Sequence, residues 1–144
     1  MAQMQKSGYS GTPLAKKLGI KTGFVIGLVN QPVYYFDLFT DMPAVIRVVN
    51  DHSVKKDIIH FFTKKEEELL SLLPQLKTEL VSNGMIWVSW PKKASKLITD
   101  ITEDTIRNYA LSIGLVDIKV CAVDEVWSGL KLVIPVKNRI NQMP

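Results

Sequence analysis

The sequence predicts an α/β domain, an open and mostly parallel sheet with helices on both faces and an antiparallel strand pair at its C-terminal end. Two observations carry this. Short apolar runs at Phe24–Val29, Val45–Val49, Asp57–Phe62 and Met85–Trp90 are interleaved with helical patterns, as in parallel strands joined by crossovers. The last two runs, Leu115–Val123 and Leu130–Val136, have only Asp124–Gly129 between them, which reads as a hairpin. A chain of 144 residues, 47% of them hydrophobic, is enough for one core without metal or disulfide staples. The expected division is an arm and short helix over 1–22, the α/β domain over 23–137 and a frayed tail over 138–144.

Thr12 caps a short helix with Pro13 in its first position, and Gly19 supplies the left-handed exit. Phe24–Val29 is apolar throughout, as in a strand buried on both faces. Pro32 opens a short helical stretch through Phe39, and the β-branched VIRVV at 45–49 follows as a strand. After Asp57–Phe62, Thr63 and Glu66 form a capping box for a helix with apolar positions at Leu69, Leu72, Leu73, Leu76 and Leu80. Pro74 is expected to kink this helix or divide it in two, and Gly84 to end it. Thr102 caps the last helix, with Glu103 and Asp104 in its first turn and Gly114 at its end.

The formal charge of +4 and pI near 9.2 suit solubility and attraction to anions, but not the dense basic stripe of a nucleic-acid binder. A single cysteine, Cys121, precludes an internal disulfide and fits a reducing cytoplasm. No apolar run approaches the ~20 residues of a membrane span, and the first dozen residues lack the apolar stretch of a signal peptide. Zinc spacing is absent, and no metal is expected.

Three blocks, GYSGTPLAKKLGIKTG at 8–23, WVSWPKK at 87–93 and GLVDIKVCAVDEVWSGLK at 114–131, resemble the bacterial family known as domain of unknown function 3052. The resemblance runs from about Gly8 to Val133 and implies a small bacterial protein without an assigned activity. The order of elements also resembles a reduced class I methyltransferase, a Rossmann-like fold, with its closing antiparallel pair and one strand fewer in its first half. That resemblance implies an S-adenosylmethionine site contacted by Gly27, Asn30, Asn50 and Asp51. Methyltransferases of this class follow the first strand with a glycine-rich turn. Here the stretch is Gly27-Leu28-Val29-Asn30-Gln31-Pro32, in which leucine, valine and proline resist positive φ.

Ligands of open α/β sheets bind beyond the carboxyl ends of the strands. Lys92, Lys93, Asp124, Trp127 and Ser128 fall at that end, where two ammonium groups, an indole and a hydroxyl suit an anionic or aromatic small molecule. A salt bridge from Asp124 to a lysine, with Trp127 covering the hairpin, is the competing reading. Asp51 either holds a ribose or makes a turn, and Gly8, Gly11 and Thr12 form either a phosphate cradle or a flexible arm. Cys121 reads as an inert buried thiol, His60 as a hydrogen-bonded core residue, and His52 as a loop residue better placed for chemistry. The expected function is non-catalytic binding of a small ligand or a protein partner in the cytoplasm, with no cofactor and no membrane. The alternative is an S-adenosylmethionine-dependent methyltransferase with an atypical pocket. Weak RNA or DNA association through the lysines is a third reading, disfavoured by the modest charge.

Overall fold

The computed structural model describes residues 11–139. Gly8 of the supposed cradle and most of the expected tail lie outside them. The elements, in chain order, are α1 (Leu14–Leu18), β1 (Val25–Val29), a 3-10 turn (Tyr35–Leu38), β2 (Arg47–Val48), β3 (Lys56–Phe62), α2 (Glu66–Thr78), β4 (Leu80–Pro91), α3 (Glu103–Ser112), β5 (Val116–Ala122) and β6 (Trp127–Val133). The six strands form one sheet in the order β2-β1-β3-β4-β6-β5. The first four are parallel, while β6 pairs antiparallel with both β4 and β5. The predicted α/β class and closing antiparallel pair are both present.

Each sheet face carries its own core. On one, α2 and α3 pack Leu69, Leu73, Leu76, Ile106 and Ala110 over Ile59, Phe61, Ile86, Val88, Leu130 and Leu132. On the other, α1 and the turn after β1 pack Leu14, Leu18 and Tyr35 over Ile26, Ile58, Phe62 and Trp87. The Trp87 indole donates to the Leu18 carbonyl at 2.9 Å, which ties α1 to the sheet. Among the described residues, no helix is long and apolar enough to cross a membrane.

Several local expectations are corrected. The strand expected over Val45–Val49 pairs only at Arg47 and Val48, and the helical stretch from Pro32 is a single 3-10 turn. α1 begins beyond Pro13 without a threonine cap; the Asp41 carboxylate accepts from the amides of Ala15 and Lys16, both at 3.0 Å. That carboxylate also occupies the helix end proposed as a phosphate cradle. The Thr63–Glu66 box does not form at α2. Thr63 donates to Glu68 at 2.6 Å, and Asp100 caps the helix by accepting from the Glu66 amide at 2.7 Å. Only α3 keeps its local cap, with Thr102 and Thr105 in a reciprocal box.

α2 ends at Thr78, not Gly84. Gly84 lies in β4, inside an excursion that shifts the β3 register from Lys56↔Leu80 to Ile58↔Met85. A Cβ there would lie 3.0 Å from the Asp57 carbonyl oxygen and 3.1 Å from two more, so a side chain would have to push backbone aside. Pro74 neither divides α2 nor leaves an empty acceptor. Lacking an N–H, it frees the carbonyl four residues earlier, Leu70, and the Tyr109 hydroxyl of α3 donates to that oxygen at 3.0 Å.

This makes the proline and the tyrosine energetically coupled. Tyr109→Phe is expected to lower stability by about 1 kcal/mol in the native sequence and by much less in a Pro74→Ala background, where an amide recovers the carbonyl. A double-mutant cycle by denaturant unfolding measures the coupling, and equal costs in the two backgrounds would contradict it.

Candidate functional site

In this strand order, the chain leaves β1 for β2 on one side and returns to β3 on the other. The carboxyl ends of β1 and β3 therefore part, which is where open α/β sheets hold ligands. A crevice of about 460 Å³ lies there, lined by Asn30, Gln31, Pro32, Phe62, Thr63, Lys64, Glu68 and Trp127. Its first wall is the exit of β1, where Asn30 has φ 58°. The reading that leucine, valine and proline keep this turn from positive φ is corrected at Asn30. Asparagine, whose short polar side chain tolerates the left-handed region, does what a glycine would do.

Trp127 forms the opposite wall and meets Phe62 edge-to-face at 5.1 Å. It is held by the Asp124 carboxylate, which accepts from the amides of Val126 at 2.8 Å and Trp127 at 2.7 Å. The Tyr34 hydroxyl completes the clamp between Asp124 and the Trp127 indole; burial first, and then the Asp124 charge, push it above the usual tyrosine range. Asp124 is itself buried and closes the hairpin. Tyr34 was not singled out in the sequence, where the adjacent Tyr35 has the same type and only the turn sends one ring to the core and the other to the hairpin.

Lys92 and Lys93, adjacent in sequence, line different depressions. Lys92 lies with Ser128, Lys16, Lys17 and Lys119 on the α1 face. Lys93 lies with Asp100, Thr102 and Glu103 beside α3. Neither lines the crevice, whose nearest lysine is Lys64. Glu103 and Asp104 both pair with Arg107, which also donates to Asp117 at 3.0 Å.

Beneath the crevice, Tyr35, His60 and Ser89 form a buried chain. The Tyr35 hydroxyl lies 3.0 Å from His60 Nδ1, and His60 Nε2 lies 2.8 Å from Ser89 Oγ. His60 is fully buried and stacked on Phe62 at 4.2 Å, and burial pushes its pKa down to about 3. The core reading of His60 holds, and the imidazole is neutral with both ring nitrogens engaged. Cys121 is half-buried rather than sealed, and burial raises its thiol despite the nearby Lys17 and Lys119.

The four residues implied as cofactor contacts do not surround one cavity. Gly27 and Asn50 line a depression of about 250 Å³ on the α2 face, and Asn30 lines the crevice. Asp51 makes a turn: its carboxylate accepts from the Ser53 amide at 2.8 Å and hydroxyl at 2.7 Å, which holds it below the usual range. The space over Gly27 is taken by the Lys56 stem and Ile59, which a Cβ would meet at 3.3–3.5 Å. Lys56 is buried, and its ammonium donates to the Glu79 carboxylate at 2.7 Å and the Asp51 carbonyl at 2.6 Å. Gln75 and the exposed His52 also bond Glu79, at 3.1 and 2.8 Å. Burial raises the Glu79 pKa, but the bonds from Lys56, Gln75 and His52 together outweigh it and leave the carboxyl lowered. Among the described residues, no group of three or more His, Cys, Asp or Glu side chains is placed to hold a metal ion.

Two acid-sensitive groups follow. A lowered carboxyl stabilises the fold fully above its unfolded value of 4.5, and that contribution is lost as pH falls through the folded value. Glu79→Gln is expected to cost about 3 kcal/mol at neutral pH by leaving the Lys56 charge buried without its counter-ion, and to flatten acid unfolding below pH 4.5. His60 acts at higher pH, because the unfolded chain takes up a proton below 6.5 that the folded core refuses until about 3. Stability should fall by about 1.4 kcal/mol per pH unit through that window, and His60→Gln should remove this slope in denaturant unfolding at pH 7 and pH 5.

Several solved structures share the architecture. A Sulfolobus solfataricus protein assigned to the type 11 methyltransferases superposes with a TM-score of 0.60 at 12% identity, over 84% of this chain and 89% of its own. The ribosomal protein L11 methylase of Lactobacillus delbrueckii subsp. bulgaricus gives 0.55 at 13% identity, over 83% and 74%. The magnesium protoporphyrin IX methyltransferase of Synechocystis PCC 6803, solved with bound SAM, gives 0.54 at 12%, over 84% and 74%. At such identities the likeness shows a methyltransferase-like fold. None of the curated proteins matches the sequence. Residues 42–136 match the family described as protein of unknown function (DUF3052), a range that includes two of the three resembling blocks and leaves Gly8–Gly23 outside. With well over half of its length matched, the chain belongs to the DUF3052 family.

Proposed function

We propose that this protein is a non-catalytic, cytoplasmic binding protein built on a methyltransferase-like fold, whose ligand is a small flat molecule held in the crevice between β1 and β3. The observation that carries this reading is the division of labour at that end of the sheet. Trp127, 8% exposed and packed edge-to-face on the buried Phe62, lines the cavity together with Asn30 and Lys64. Of the groups able to move protons, Tyr35, His60 and Ser89 are sealed beneath it with their polar atoms bonded to each other, and the Glu68 carboxylate in its lining accepts from the Thr63 hydroxyl. A planar ligand gains from the aromatic face, and an acidic substituent from Lys64.

The second reading is an S-adenosylmethionine-dependent methyltransferase with an atypical pocket. Asn30 favours it, since positive φ after the first strand lets backbone amides turn toward a ligand. So does the bound SAM of the Synechocystis neighbour. Against it stand Asp51, whose carboxylate locks its own turn, and Lys56, which covers Gly27.

Isothermal titration with S-adenosylmethionine and S-adenosylhomocysteine separates the two. The binding-protein reading expects no saturable heat up to about 1 mM of either nucleoside, weaker than about −4 kcal/mol. A micromolar dissociation constant lost in Asn30→Pro would establish the cofactor site and overturn it.

A further inference from the structure

We propose that the depression between α1 and the β5–β6 edge is a second binding site, separate from the crevice, for a small polyphosphorylated molecule. Its volume, about 730 Å³, exceeds that of the crevice and lies within the usual range for small-molecule sites. Four lysines line it from three parts of the chain: Lys16 and Lys17 on α1, Lys92 after β4, and Lys119 on β5. The described lining residues include no Asp or Glu.

The neighbourhood extends the positive charge. Lys131, paired across the sheet with Lys119, has its pKa lowered by burial first and then by Lys119 and Lys21. Like charges gathered on a surface that is partly withdrawn from water repel each other, and a multivalent anion relieves that repulsion. The Lys17 ammonium is anchored in the wall by donating to the Ala122 carbonyl at 2.8 Å, while Lys16 and Lys119 are exposed point charges able to follow several phosphates. The wall beside the lysines is the apolar strip Val120–Ala122, so the ligand need not be inorganic. A compact depression favours a small molecule over a nucleic-acid backbone, which needs an extended basic track.

Cys121 lies in the same wall and is the chain's only cysteine, which makes it a reporter of occupancy. An anion above it blocks access and cancels the lysine charges that oppose the burial-driven rise of its thiol. Both effects slow alkylation.

The test titrates the whole protein with inorganic tripolyphosphate by calorimetry and follows iodoacetamide alkylation of Cys121 in parallel. One site is expected, weakening several-fold between 50 and 200 mM salt, with alkylation slowed about fivefold at saturation. The double variant Lys16→Glu/Lys119→Glu changes two exposed side chains and should weaken binding about tenfold or more. Lys65→Glu, on the α2 face, should change it less than about twofold. No binding at low salt would overturn the proposal. So would binding that leaves Cys121 alkylation unchanged or survives the double variant, or a single-stranded DNA 20-mer that binds and is not displaced by tripolyphosphate.

Discussion

The buried contact between Lys56 and Glu79 is the constraint on which the first half of the sheet depends. Lys56 opens β3 and Glu79 follows α2; the Lys56 amide donates to the Glu79 carbonyl at 2.8 Å, while the side chains form the ion pair above it. The same ammonium takes the Asp51 carbonyl, so the loop from β2 is drawn across β1. The Lys56 stem lies beside Gly27 of β1, where a Cβ would meet it at 3.4–3.5 Å. A charge pair withdrawn from water gains little net free energy over an apolar substitute, but losing either partner is costly. It therefore specifies where three segments meet more than it adds to stability.

That arrangement shapes the binding surfaces. With Lys56 over Gly27, the depression left on the α2 face near β1 is only about 250 Å³, and the larger crevice lies at the carboxyl ends of β1 and β3. There Asp124 and Tyr34 hold Trp127 in place. The lysine-lined depression lies farther along, near the outer strand. One surface is aromatic and the other cationic, which sets different chemical demands on what each receives. Methyltransferase-like architecture accommodates both, since fold alone does not dictate chemistry.

Much of the fold was legible in local patterns, because strand runs and helix periodicity depend on residues close in sequence. The α3 cap is an example: Thr102 and Thr105 satisfy each other across three residues. The other two caps were not legible, because Asp41 and Asp100 reach the starts of α1 and α2 from loops 25 or more residues away. Pro74 was expected to kink α2 or divide it in two; the helix runs through it undivided, and the partner for the carbonyl it frees, Tyr109, belongs to another helix.

The candidate site divides in the same way. Asn30, Trp127 and the core role of His60 were identifiable from residue type and position along a strand. The separation of Lys92 from Lys93 and the roles of Tyr34 and Lys56 depend on which sheet face each side chain meets. By itself, the sequence determined the strand pattern, the antiparallel closure and the family, all carried by short-range periodicity and contiguous blocks. Only the tertiary structure decided which polar groups are spent on each other and which remain to meet a ligand, because hydrogen bonds and charges are satisfied by proximity in space, whatever their separation along the chain.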